Sequence, residues 1–350
     1  MRDGTVTEPL ASTATETIDI ICAARDAGRF VDEAIASVVR QSHPSWRLWL
    51  RDDGSSDDTA ARLADWADRD ARIRLLHRGA PPLGAAQAFG WLLAQLPGSA
   101  APASTTSAPE PGRQAPDPRA AAWIACLDAD DRWHPERLAV TLAAGQAAGD
   151  AATPMLVHSD CRLIDAVGRE LHPSYWAAAG LTPEPTDLGR LAVQNVATGS
   201  TLLLNRALVE RIGAVPVEAM HQDWWFALVA AATGRLIAVP HALIDYRQHD
   251  GNSVGATAGR LRGVAELWRR SGAAATRTAR LRSDLARTGR QAGALASRYS
   301  TFLSQEDHRV LTALAALPTL PPMRRKLAIL RHRLLREHGI LRNLGVLLRG

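Results

Sequence analysis

Three carboxylates within four positions, Asp128, Asp130 and Asp131, follow the apolar run WIACL in the stretch CLDADDRW (126–133). Like charges that close repel, and a turn needs only one of them. An Asp-x-Asp pair offers hard oxygen ligands suited to Mg2+ or Mn2+. Such ions take one or two protein carboxylates and complete their shell with water and phosphate oxygens. If the extended conformation persists past the strand, Asp128 and Asp130 face the same side. The plainer alternative is that Asp130 or Asp131 caps a helix starting at Pro135. That accounts for one carboxylate, not three.

A second acidic cluster, RDDGSSDDT (51–59), follows the apolar run RLWL and opens a helix. Gly54 permits a tight turn, Ser55 and Ser56 supply hydroxyls, and Asp58 or Thr59 begins the helix. A carboxylate at such a strand end, Asp52 or Asp53, can accept hydrogen bonds from a base N–H or from ribose hydroxyls. There is no G-x-G-x-x-G and no G-x-x-x-x-G-K-[ST], so neither dinucleotide nor P-loop chemistry is indicated. The histidines, including His43, His158 and His221, form no zinc-type spacing.

The elements that must position these residues alternate. Strands are expected at 18–24, 47–53, 72–77 and 123–128, with helices at 29–41, 58–69 and 84–96. This spacing indicates right-handed βαβ units, a mostly parallel central sheet flanked by helices, and a ligand crevice beyond the carboxyl ends of the strands. Beyond 150 the expectation is a strand at 155–160, another near STLLLN, a helix at 223–233, and two strands at 235–240 and 242–249. The segment 97–120 is Pro/Ala/Ser-rich and aperiodic, and reads as a flexible insertion in a surface loop. Residues 1–16 read as a disordered lead-in without the apolar core of a signal peptide.

Composition bounds the class. With 46% hydrophobic and 22% charged residues, 350 residues suffice for a large core. Cys22, Cys126 and Cys161 are too few and too scattered for a disulfide framework and suit a reducing interior. No apolar stretch reaches the roughly 18–20 residues needed to cross a bilayer. Charge is uneven: residues 256–350 hold 19 Lys+Arg against 5 Asp+Glu, whereas 1–255 hold 22 against 31. The basic C-terminal region, 256–350, reads as helical. Met323, Leu327, Leu330 and Leu334 form an apolar stripe that Leu341, Leu344 and Leu348 resume. Arg324, Arg325, Arg331, Arg333 and Arg336 point largely elsewhere. Such a helix suits an anionic membrane surface through 324–348, or equally a packed helix with a solvated Arg face. A cytoplasmic protein, peripheral at the inner membrane face, is the expectation. No reader motif supports nucleic-acid binding.

The stretches DIICAARDAGRFVDEAIASVVRQSHPSWRLWLRDDGSSDDT (19–59) and LDADDRWHPERL (127–138) resemble the nucleotide-binding half of the family 2 glycosyltransferases of GT-A fold. QNVATGSTLLLNRAL (194–208), HQDWWFALVAAATG (221–234) and YRQHDGNSVGA (246–256) resemble its bacterial rhamnosyltransferase-like branch. The likeness covers about 17–256 and implies a GT-A domain over 17–255. It implies that Ala24 and Arg25 line the nucleotide, and that Asp53, with Asp52, holds base or ribose. Asp128 and Asp130 become the Asp-x-Asp pair on a divalent cation, and His249 a group reaching that cation or the diphosphate. Asp223 becomes the catalytic base, with Trp224 and Trp225 as its desolvating environment. The donor is a nucleoside diphosphate sugar, dTDP-rhamnose by this branch, and the acceptor a glycan or lipid-linked glycan. Three departures stand out: Gln222 before the base, Arg78 and Gln87 where Asn is common, and the 97–120 insertion. Two rival readings remain: a Mg2+-dependent phosphotransferase with an aspartate nucleophile, and a non-catalytic membrane-surface scaffold.

Overall fold

The computed structural model describes residues 16–78, 81–99, 120–183, 187–249, 274–332 and 334, without the side chains of 274–281. The readings of 1–15, of 100–119, of 250–273 and of Arg333, Arg336, Leu341, Leu344 and Leu348 lie outside the described residues.

The first half follows its hydrophobic periodicity. β1 (Ile18–Ala24), α1 (Val31–Val39), β2 (Trp46–Asp52), α2 (Thr59–Arg69), β3 (Ile73–His77), α3 (Ala85–Gln95) and β4 (Trp123–Cys126) alternate as expected. β1 pairs in parallel with β2 and β4, and β2 with β3, with Ala24 opposite Asp52 at the carboxyl ends. Side chains alternate across this sheet: Ile18, Ile20 and Cys22 join one core and Ile21 the other. The first core is closed by α1 and α2 together with α4 (Arg137–Ala147), which follows the two-residue strand β5 (Arg132–Trp133).

The second half is mixed rather than parallel. It contains β6 (Met155–Asp165), β7 (Glu170–His172), α5 (Tyr175–Ala179), α6 (Leu188–Val193), β8 (Leu203–Asn205), α7 (Arg206–Ile212), α8 (Gln222–Thr233) and β9 (Arg235–Gln248). Among the described residues the sheet has nine strands and runs β3-β2-β1-β4-β8-β6-β9-β5, with β7 on β6. β8 is antiparallel to β4 and β6, while β6 and β9 are parallel. The two strands expected at 235–240 and 242–249 are one strand, β9. Its pairing with β6 shifts register near Ser159–Arg162, so Pro240 is absorbed as an irregularity instead of a break.

The C-terminal helices are not an appendage. α9 (Ala274–Arg298), α10 (Gln305–Ala316) and α11 (Pro322–Arg331), with Tyr299 just after α9, contribute Leu295, Tyr299, Leu311, Leu314 and Ile329 to the core that also buries α3 and α8. The expected apolar stripe on α11 is divided. Met323, Leu327 and Leu330 are 76%, 66% and 57% exposed, whereas Leu334 turns inward beside Ile329. Arg325 donates to the Leu317 and Leu320 carbonyls instead of facing water. All three cysteines are free and buried. Among the described residues, no helix is long and apolar enough to cross a membrane.

Candidate functional site

From β1 the chain moves outward to β2 and β3, then returns to place β4 on the opposite side of β1. The reversal falls between β1 and β4, the position beyond whose carboxyl ends open α/β sheets bind ligands. Ala24 and Arg25 stand at the end of β1, and Asp128 follows β4. Ala24 is buried; Arg25 is half exposed and lies 3.7 Å from Asp26.

The loops after β1 and β2 are laced together. Asp26 takes a left-handed backbone conformation, φ +48°, unusual for a non-glycine residue. Its carboxylate accepts the Ser56 amide (2.7 Å) and hydroxyl (3.0 Å), and its own amide donates to the Ser55 hydroxyl (3.1 Å). The Ala27 amide donates to Thr59 Oγ1 and the Gly28 amide to Asp57 Oδ2. Gly54, at φ +79°, makes the expected tight turn. The Ser56 amide and hydroxyl lower the pKa of Asp26. Burial alone would raise that of Asp57, but the Thr59 hydroxyl and amide and the Gly28 amide outweigh it and lower it. Composition identified the turn; it did not reveal which loop these hydroxyls would hold.

Asp52 and Asp53 are both buried. Asp53 accepts from Arg51 Nε (3.1 Å), the Leu83 amide (2.9 Å) and the Gly84 amide (2.9 Å), so protein donors already engage both its oxygens. Asp52 accepts the Ser55 amide at 3.2 Å. Gln87 donates its side-chain amide to the Pro216 carbonyl, tying α3 to the loop ahead of α8.

Past β4 the chain does not stay extended. Residues 129 and 130 form a turn closed by the Asp131 amide on the Asp128 carbonyl (3.3 Å), so strand alternation is not what relates Asp128 to Asp130. Nor does either later aspartate cap a helix: α4 starts at Arg137 behind Glu136, without a side-chain cap. Asp131 is fully buried and accepts the Arg247 amide (2.9 Å). Arg247 also donates from Nε to the Asp130 carbonyl and from Nη2 to Glu33 (both 2.8 Å), fastening the turn to β9 and α1. His249, at the end of β9, places Nε2 3.0 Å from Asp130 Oδ2, with its ring against Phe30. The role of Arg247 was not read from the sequence, although YRQH places it two residues before His249.

Electrostatics join this turn to α8. Burial, then Asp130 and Asp223, push the Asp128 carboxyl up to about 8. Burial, then Asp130 and Asp128, raise Asp131 as well. Asp223 is in the first turn of α8, near the positive end of the helix dipole, and accepts the Trp224 amide (2.6 Å). Burial raises its pKa, partly offset by His221, by the Trp224 and Gly199 amides and by the Asn195 side chain. Trp224 is buried, its indole N–H on the Leu191 carbonyl. Trp225 is wholly buried against Tyr299, 6.2 Å between centroids, and belongs to the core.

Among the described residues, no group of three His, Cys, Asp or Glu side chains forms a ready metal cluster. The donor set nevertheless suits a divalent ion bound through one or two carboxylates with the substrate's phosphate oxygens supplying the rest. Asp130 and Asp128 would be its oxygen donors, with His249 Nε2 beside Asp130. Burial, then the nearby Asp130 and Asp223, raise the Asp128 carboxyl, and a bound cation would favour its charged form.

The family model for Glycosyl transferase family 2 matches residues 19–97, less than half of the chain. No curated protein matches. Many solved structures are similar, among them two at low identity. S. aureus TarS 1–349 in complex with UDP-GlcNAc is 14% identical, with 91% of this chain and 89% of that one covered and a TM-score of 0.49. The mannosyltransferase PcManGT of Pyrobaculum calidifontis, in complex with GDP-Man and Mn2+, is 16% identical, with 95% and 88% covered and a TM-score of 0.48. The matched segment runs from β1 through α3 and includes the laced loops and the Asp52–Asp53 pair. Its α/β architecture is of the GT-A type, and the match places this segment with the glycosyltransferases, a class of enzymes.

Proposed function

We propose that this chain is an inverting, divalent-cation-dependent glycosyltransferase that moves a sugar from a nucleoside diphosphate donor to a hydroxyl of a glycan or lipid-linked acceptor. The observation that carries the reading is that the Gly199 backbone lies against both Asp128 and the start of α8, which brings Asp128 and Asp130 near Asp223 although 95 residues separate Asp128 from Asp223. The nucleotide lies across Ala24, Arg25 and Asp52. Asp53 shapes the 83–84 turn beneath it, and Arg25 is a cation at hand for the diphosphate. Asp130 and Asp128, with His249, hold the Mn2+ or Mg2+. The cation supplies Lewis-acid stabilisation of the departing diphosphate.

Asp223 accepts the proton of the acceptor hydroxyl as that oxygen forms the new glycosidic bond. The bond from the anomeric carbon to the diphosphate breaks on the opposite face, and the nucleoside diphosphate leaves with the bonding electrons. Burial raises the basicity of Asp223 toward the working pH, as a general base requires. Rhamnose from a dTDP donor is the sugar implied by the likeness of 194–256.

Calorimetric titration with dTDP, UDP and GDP, each with Mn2+ or with EDTA, tests the reading. One nucleotide is expected to bind only with Mn2+, and Asp130→Asn to abolish that dependence. Binding of none under either condition sinks it, and so does phosphate release from a simple ester that survives Asp223→Asn, as the phosphotransferase alternative requires.

A specific observation also supports work at a membrane surface. Met323, Leu327 and Leu330 share one exposed face of α11, flanked by the exposed Arg324 and Arg331. Leu327→Glu is expected to release the protein from vesicles rich in anionic lipid in a flotation assay while leaving nucleotide binding unchanged.

A further inference from the structure

Behind Asp128 lies a group of side chains that touches no ligand-facing surface and still has an unusual cost. Arg137 is completely buried and, among the described residues, has no carboxylate partner. Its Nη2 donates to the carbonyls of Leu202 (2.7 Å) and Ser200 (3.2 Å), and its guanidinium stacks 3.9 Å from the centre of the Trp133 ring. Nε and Nη1 have no hydrogen-bond partner among the described residues. Burial lowers its pKa to about 9. An ionised group held this way destabilises a fold. What it grips is the short 3₁₀ turn Gly199–Thr201.

That turn separates the two acidic ends of the site. The Ser200 hydroxyl accepts from Trp133 Nε1 (3.1 Å) and from the Asp128 amide (3.3 Å). One residue earlier the backbone is so close to both ends that a β-carbon on Gly199 would stand 3.0 Å from Asp128 Oδ2 and 3.4 Å from Gln222 Nε2, next to Asp223. The β4 register continues the link, with the Cys126 amide on the Leu202 carbonyl (3.2 Å). A shift of this turn therefore moves Asp128 relative to the start of α8.

We propose that Ser200, clamped from behind by Trp133 and Arg137, is a positioning residue that sets the separation between Asp128 at the cation end and Asp223 at the base end. It does not touch substrate. The role rests on the transferase reading above, because only a reaction that uses both ends at once needs their spacing held. Binding a nucleoside diphosphate uses one end alone and is insensitive to it. Small displacements of reacting groups are costly to turnover, so the effect belongs in kcat.

The experiment uses the full chain. Ser200→Ala removes the shared acceptor and leaves a residue of nearly the same size. Trp133→Phe removes one of its two donors, and both variants keep Arg137. Three quantities are measured: melting temperature, affinity for Mn2+ with UDP, GDP or dTDP, and nucleoside diphosphate release from UDP-, GDP- and dTDP-sugars across pH 6–9. Ser200→Ala is expected to lower kcat about 10- to 100-fold, with KM and nucleotide affinity within about threefold of wild type. Trp133→Phe is expected to give a smaller fall of the same kind. Unchanged kcat in Ser200→Ala overturns the role. So does a loss in which kcat, nucleotide affinity and melting temperature fall together, which is what a merely structural serine would give. A wild type that binds none of the three nucleotides overturns the transferase reading, and this role with it. A wild type that binds and turns over, with Ser200→Ala its equal, overturns the positioning role alone.

Discussion

The two acidic clusters are built on opposite electrostatic plans. In the loops after β1 and β2, amide and hydroxyl donors converge on Asp26 and Asp57 and hold both carboxyls below their usual range. In the turn after β4 and at the start of α8, burial outweighs the available donors, and Asp128, Asp131 and Asp223 are all raised. The first cluster is charged and satisfied by the protein itself. In the second the protein's own donors do not offset burial. The two clusters therefore differ in their donors, not in their residue types, and on the proposed function the second would be the one that takes a cation.

The largest effect that would sharpen this contrast is chemical. Asp223→Asn keeps the shape of the α8 start and removes the basic oxygen. Sugar transfer is expected to fall about 10²- to 10⁴-fold. Nucleotide affinity with Mn2+ should stay within a few fold, since Asp223 lies at the other end of the Gly199 turn. A variant that transfers normally would reduce Asp223 to a helix-start residue and leave the second cluster without a base.

The next effect is the pH response of the metal-free protein. A carboxyl raised from its usual value to about 8 keeps its proton in the folded state while the unfolded chain has lost it. The folded state then binds more protons across that window, so stability declines as pH rises from about 4 toward about 8. Binding Mn2+ must expel such a proton. Its affinity should therefore climb by up to about tenfold per pH unit in the same window, where one proton is displaced. Thermal melting with EDTA and with Mn2+ at several pH values reads both trends. Asp128→Asn should melt higher than wild type in EDTA and gain less from Mn2+. A wild type whose melting temperature rises from pH 5 to 8 in EDTA would break the comparison.

Parts of this were legible in the sequence, for identifiable reasons. β1 was read at 18–24 and stands there, and α2 and α3 begin within a residue of their expected starts, because apolar periodicity and turn residues agree in the first half. The joining of 235–240 to 242–249 was not legible, since Pro240 is a sound reason to end a strand until its partner β6 is known to shift register there. The basic composition of 256–350 likewise suggested a separate tail. Its arginines hid the few inward positions, Leu295, Tyr299 and Leu311 among them, that place α9 and α10 in the core beside α8. In the site, the aspartates stood out by type and spacing. Arg137 and Ser200 did not, because their importance lies in what they bond across long sequence separations.

The smallest effect tests the cluster that is already satisfied. Asp57→Ala removes the acceptor of the Gly28 amide and of the Thr59 amide and hydroxyl. These bonds join the β1–α1 loop to the start of α2, but Asp57 is exposed, so water replaces much of what is lost. A loss of about 1 kcal/mol is expected in urea denaturation at neutral pH. The pH signature runs opposite to that of Asp128. Since the folded state holds Asp57 below its usual value, its contribution is complete above that value and disappears as pH falls through the lowered one. Wild type and Asp57→Ala should therefore converge in stability on acidification below about pH 4 and stay parallel from pH 5 to 8. A difference that instead widens toward pH 8, or that closes when Mn2+ is added, would mean that this loop too depends on the cation. The donor side would then share the electrostatic plan of the second cluster.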